Sequence, residues 1–223
     1  MNLRSLWFRF PAVLVLVTFP FTATFAVPVA QREFDLVLKR TPDLASGAKE
    51  YEICAACHGM QGQGVSDGSV PAIGGQSFQV LAKQLVDFRS GGRTDLRMQH
   101  FSGTRHLAIS QNIADVAAYI SALKPPAPRN EKYKDPEARG GMLYARDCER
   151  CHGATGEGKE DWLTPRISAQ HDVYLMSQLN DAAAGRRPAM ASAHGKLIAA
   201  LSPNDMAAVI GYIANETPAA NAD

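Results

Sequence analysis

Net charge, long apolar stretches and spare cysteines are all scarce in this 223-residue chain. Its 23 basic and 22 acidic side chains leave a formal charge of +1. That balance argues against a nucleic-acid partner, whose phosphates call for a basic face. After the first 26 residues no segment approaches the roughly 20 apolar residues that a membrane helix requires, so the mature chain is expected to be soluble or loosely membrane-associated. The alternating pattern of half-buried strands is also missing. With 46% hydrophobic and 20% charged residues, the composition is that of an ordinary globular protein and excludes disordered, collagen-like and coiled-coil chains. Only four cysteines occur, at 54, 57, 148 and 151.

What is present begins with a leader. Arg4 and Arg9 precede an apolar run from Pro11 to Phe21, and Thr24 and Ala26 supply small residues after it. This order reads as a secretory signal, 1–26, so the mature chain is expected to be exported. Its removal takes away two arginines and no acidic residue, leaving a formal charge of −1. The rest of the chain is a tandem duplication. Cys54 and Cys148 stand 94 residues apart, and the same offset pairs Gly59 with Gly153, Gly64 with Gly158, Pro71 with Pro165, Gln76 with Gln170 and Asp87 with Asp181. Two copies are too few for a solenoid, so each is a domain in its own right. Between them, residues 124–136 hold four prolines among charges, a composition that breaks helix and favours an extended connection. The expected division is a first domain over 27–124, a linker over 125–136 and a second domain over 137–223.

Each copy reads as all-α. A first helix leads into the cysteines, and a glycine-rich loop follows. A second helix spans Val80 to Arg89 or Val173 to Ala184, with Leu81, Leu85 and Phe88 at helical spacing. A last helix runs from about Ile113 to Leu123, or from Asp205 to Ala214 after a Ser202-Pro203 start signal.

The chemistry lies in Cys54-Ala-Ala-Cys57-His58 and Cys148-Glu-Arg-Cys151-His152. Two thiols at this spacing form thioethers to a porphyrin, and the adjacent imidazole binds its iron. A zinc site lacks further cysteines to complete it, and a redox dithiol has no reason to end twice in histidine. Two covalently bound haem c groups are therefore expected, on Cys54 and Cys57 and on Cys148 and Cys151, with His58 and His152 as metal ligands. A methionine thioether suits the other side of the iron. Met98 and Met190 lie in matched loops before the last helix of each copy, and both are expected to ligate. Their rivals are His100 and His106 in the first copy and His194 in the second. Met60, Met142, Met176 and Met206 are read as packing or surface residues, and His171 as surface. Pro71 and Pro165 each follow the histidine by 13 residues, where a nearby carbonyl can accept the other imidazole N–H. Arg93 and Arg187 are placed between pairing with a haem propionate and plain solvation. Tyr119 and Tyr212 are expected to pack in the core.

With Cys-x-x-Cys-His-Gly, the following Gly-x-Gly, the spaced prolines and the closing helices 113–120 and 201–213, the chain resembles class I c-type cytochromes, and its duplication resembles the di-haem cytochrome c4 group. The resemblance covers residues 45–215. It implies two small helical domains, each around one haem with histidine and methionine ligands, and a periplasmic electron carrier rather than an enzyme. Its partners would be donor and acceptor redox proteins, linking respiratory or dehydrogenase donors to a terminal oxidase or reductase. A haem subunit of a membrane-associated dehydrogenase and a di-haem peroxidase-like enzyme with one open iron are the alternatives. Four ionised propionates would carry the mature charge toward about −5, which favours partners with basic docking faces. Two departures stand out. The first copy is one residue short before its last helix, and Tyr51 precedes Cys54 by three residues where Tyr144 precedes Cys148 by four.

Overall fold

A computed structural model of the protein describes residues 28–127, 132–133 and 138–216. The expected leader, 1–26, and residues 128–131 and 134–136 of the expected linker lie outside the described residues. Within them the chain is helical, with one isolated antiparallel bridge between Lys159 and Thr164 and no strand. The first copy contains α1 (Val29–Leu38), α2 (Leu44–His58), α3 (Phe78–Ser90), α4 (Leu96–Ser102) and α5 (Ser110–Ala122). The second contains α6 (Arg139–Asp147), α7 (Glu149–His152), α8 (Asp172–Ala183), α9 (Pro188–Ala200) and α10 (Pro203–Asn215).

In each copy the helix that leads toward the cysteines crosses the last helix, α2 on α5 and α6 on α10. The crossing in the first copy is close enough that only glycine fits. A Cβ on Gly47 would lie 2.1 Å from the carbonyl oxygen of Asp115. Above it Tyr51 meets Tyr119 with ring centroids 5.4 Å apart, and Tyr144 meets Tyr212 at 5.6 Å, both pairs tilted by 47°. These are the favourable offset geometries of buried aromatic pairs. Asp115, itself buried, accepts the Asp43 N–H at 2.8 Å and so holds the start of α2.

The extra residue between Tyr144 and Cys148 is absorbed by a break in the helix. α2 runs unbroken through both cysteines, whereas α6 stops at Asp147 and α7 restarts after Cys148, at φ −117° and ψ −39°. The tyrosines then reach equivalent places, each hydroxyl donating to the carbonyl of the glycine after the motif, Gly59 or Gly153, at 2.6 Å. Ahead of the break the structural offset is 93, so the buried counterpart of Gly47 is Gly140 rather than the Gly141 that an ungapped 94-residue register selects.

The structure corrects one further expectation and adds a helix. Met98 and Met190 sit in helices, α4 and α9, not in loops. The start signals are local: the Asp95 carboxylate accepts the Arg97 and Met98 N–H groups at 2.9 and 3.1 Å, and Pro188 opens α9, a position where its missing N–H costs nothing. α1 had no sequence expectation at all. It buries Phe34 and Val37 against α3 and α5, and Glu33 pairs with Arg89. Arg89 also donates from Nε to the Ser102 carbonyl at 2.8 Å and from its terminal nitrogen to that of Leu107. It thereby ties α1, α3 and the end of α4 together. The core of the first copy is correspondingly larger than that of the second, which centres on Leu143, Tyr144, Val209 and Ile213.

Phe34→Ala tests the role of α1. Emptying a buried phenylalanine site costs about 3–5 kcal/mol, so thermal unfolding followed by circular dichroism should show the transition of the first copy moving to lower temperature and that of the second staying in place.

Candidate functional site

The two motif histidines are buried, His58 to 6% and His152 to 8% residual exposure. Each directs Nδ1 at the carbonyl of the proline 13 residues later, His58 at Pro71 and His152 at Pro165, both at 3.0 Å. A carbonyl only accepts, so Nδ1 carries the proton and Nε2 keeps its lone pair, the form that binds a metal. Burial lowers the pKa of both rings, His152 to about 4, which keeps them neutral. The glycine-rich loop brings the proline back. Gly64 N–H donates to the His58 carbonyl at 2.8 Å and Gly158 N–H to that of His152 at 2.7 Å. Both glycines have positive φ, and a Cβ on either would strike the chain around Pro71 or Pro165 at 2.4–2.7 Å.

None of the four cysteines is paired with another in a disulfide. Cys57 and Cys151 are exposed, and Cys54 and Cys148 are half-buried. Burial pushes the Cys54 and Cys148 thiols up to about 11, opposite to the lowered pKa of a thiol–disulfide exchange site. A neutral imidazole with a free Nε2, flanked by two unpaired thiols, fits attachment of a haem. A third observation concerns its carboxylates. Arg166 donates from one terminal nitrogen to the Gly74 carbonyl at 2.7 Å, while its Nε and other terminal nitrogen are buried without a protein acceptor. A haem propionate is the kind of group that would satisfy such donors.

The two copies meet through reciprocal contacts. The Gln76 carboxamide donates to the Arg166 carbonyl and accepts the Arg166 N–H, both at 3.0 Å. Its counterpart Gln170 does the same with Ala72, at 2.7 and 2.9 Å. Ala72 and Arg166 directly follow the two prolines that hold the histidines. His171, expected at the surface, joins this interface by donating from Nε2 to the Gln63 carbonyl at 2.8 Å. Arg93 and Arg187 also face each other across it. Arg93 donates to Gln84 at 2.6 Å, to Gln178 at 2.8 Å and to the Tyr174 hydroxyl; Arg187 donates to Gln178 at 2.9 Å and Gln84 at 3.4 Å. Burial, and then the neighbouring Arg93 charge, push Arg187 down to about 10. The plain solvated state is thus corrected for both arginines. None of these cross-copy pairs was legible in the sequence, although the repeat had already matched Gln76 with Gln170.

Met190 lines the cleft at this interface with Gln84, Asp87, Gly92, Arg93, Arg187 and Ala189. Met98 is half-buried on α4, and its neighbours Arg97 and Asp95 act electrostatically on His58. Of the rival histidines, His100 and His106 pair with each other, Nε2 to Nε2 at 3.2 Å, and the His194 ring stands 6.0 Å from that of His152. Met60 and Met142 are exposed.

Two duplicated helical units, each with a thiol pair beside a buried histidine held by a proline carbonyl, define a two-domain c-type cytochrome. The chain belongs to the cytochrome c family, whose profile matches residues 44–124 and again 137–216, and it carries two covalently bound haem c groups on its two Cys-x-x-Cys-His motifs. Within the family it is similar to cytochrome c4 of Azotobacter vinelandii, 32% identical over 77% of this chain and 88% of that protein. It is also similar to the thiosulfate dehydrogenase electron acceptor of Stutzerimonas stutzeri (strain A1501), 31% identical over 81% of this chain and 90% of that one. Among solved structures, reduced recombinant cytochrome c4 from Pseudomonas stutzeri superimposes with a TM-score of 0.69 at 28% identity, covering 79% of this chain and 100% of that chain. The class is that of electron-transfer proteins.

Gln76→Ala and Gln170→Ala test the reciprocal contact. Each removes bonds worth roughly 1 kcal/mol apiece. Hydrogen exchange should therefore accelerate about fivefold or more at the Arg166 amide in the first variant and at the Ala72 amide in the second.

Proposed function

We propose that the protein is a periplasmic electron carrier that takes electrons from a dehydrogenase or respiratory donor and passes them to a terminal oxidase or reductase. The observation that supports this best is the pair of buried histidines held in the ligating form by Pro71 and Pro165. A dehydrogenase donor is supported by the relative that serves as electron acceptor of thiosulfate dehydrogenase.

Bound haem supplies one-electron iron chemistry, and the chain sets its potential and access. Cys54, Cys57, Cys148 and Cys151 attach the two groups, and His58 and His152 would ligate the two irons through Nε2. The proline carbonyls fix the ring orientation and raise imidazole basicity. For the other face, α4 offers Met98 in the first copy. α9 offers Met190 and His194, one helical turn apart, as the two candidates in the second. With both irons saturated by side chains, no substrate reaches metal and the chain's task reduces to accepting and releasing electrons. Arg93, Arg187 and Arg166 place positive charge at the interface between copies, where propionates would be neutralised.

The decisive experiment is addition of carbon monoxide to the dithionite-reduced holoprotein, read in the visible spectrum. The spectrum should not change. Binding at either haem would reveal an open iron and replace the carrier with the peroxidase-like reading. A second expectation follows from the acidic mature charge: electron transfer with a basic-faced partner should slow as ionic strength rises.

A further inference from the structure

The second copy presents an imidazole where the first does not. Met190 and His194 lie on α9 one turn apart, and His194 Nδ1 is 3.1 Å from the Met190 carbonyl oxygen. Since that carbonyl only accepts, Nδ1 carries the proton and Nε2 keeps the lone pair. His58 and His152 are held in this same form by their prolines. The ring of His194 stands 6.0 Å from that of His152, centroid to centroid, with planes at 43°.

That separation has a chemical meaning. A metal–imidazole bond of about 2 Å puts the ring centroid about 3 Å from the metal, so two imidazoles on opposite sides of one ion stand about 6 Å apart. The His100–His106 pair provides the contrast. Its rings are 5.0 Å apart, with the Nε2 atoms in direct contact at 3.2 Å. Met190, meanwhile, lines the cleft between the copies beside Arg93 and Arg187. In the first copy the residue four after Met98 is Ser102, whose hydroxyl is buried without a partner, and it offers no imidazole.

We propose that His194 is the second axial ligand of the haem on Cys148 and Cys151, in place of Met190. The inference rests on the di-haem carrier reading and refines it. The two haems then differ in kind, the first with histidine and methionine, the second with two histidines. Methionine raises the potential of a haem relative to histidine, so the second haem is the lower of the two. Electrons held by the protein collect on the first.

The test uses the ferric holoprotein and the weak far-red absorption band that a methionine–iron bond produces. The wild type should show the band at the intensity of one haem in two, and His194→Met should double it. His194→Ala should create one carbon monoxide-binding haem on reduction and leave the potential of the first haem unchanged, while Met190→Leu should change neither spectrum nor potentials. A wild-type band at full two-haem intensity would overturn the proposal. So would an unchanged spectrum in His194→Ala, or loss of half the band in Met190→Leu. Failure of the carrier reading itself looks different, because the wild type would then bind carbon monoxide.

Discussion

The arrangement around each motif histidine depends on one hydrogen bond made twice, from an imidazole Nδ1–H to a proline carbonyl at 3.0 Å. It decides the tautomer, aims Nε2 and fixes the ring. The bond spans 13 residues, so the loop between must return the proline to the histidine. The positive-φ glycines and the backbone bonds from Gly64 and Gly158 to the histidine carbonyls bring it back. The tyrosines complete the frame by donating to Gly59 and Gly153, the residues that leave the helix. Burial raises both phenol pKa values, Tyr51 to about 12, so both remain neutral donors over the physiological range.

The same carbonyl segment is also the point of contact between the copies. Gln76 and Gln170 each bond the backbone of the residue just after the other copy's proline. A carboxamide presents one donor and one acceptor, and it matches a backbone N–H and C=O with no charge involved. Besides Arg166, charged groups gather at a second place on the interface. Arg93 and Arg187 share the amide oxygens of Gln84 and Gln178, an arrangement that leaves two like charges close together and ready for an anion.

Duplication produced two copies, and the two have since diverged. The first has α1 and the Arg89 hub, which enlarge its core. The second carries a broken helix ahead of its histidine, where one extra residue is taken up at Cys148. A helix can absorb such an insertion only by interrupting its hydrogen-bond ladder, and here the break falls where it leaves Tyr144 and His152 in the positions held by Tyr51 and His58.

Read alone, the sequence determined the attachment chemistry, the duplication and the all-α fold. Covalent spacing and a long ungapped register are properties of the chain itself, and neither needs a neighbour in space. The two proline carbonyls were legible for the same reason, since a repeated spacing of 13 residues marks them. The helices carrying Met98 and Met190 were not read, although their Asp95 and Pro188 start signals were present; the glycines and arginines around them suggested loop. α1 escaped because its stability comes from burying Phe34 and Val37 against helices that begin 40 or more residues later. The glutamine exchange, the arginine cluster and the approach of His194 to His152 were decided only by tertiary structure. Each joins residues roughly 40 to 100 positions apart, and which face of α9 turns to His152 depends on how that helix packs, not on the order of its residues.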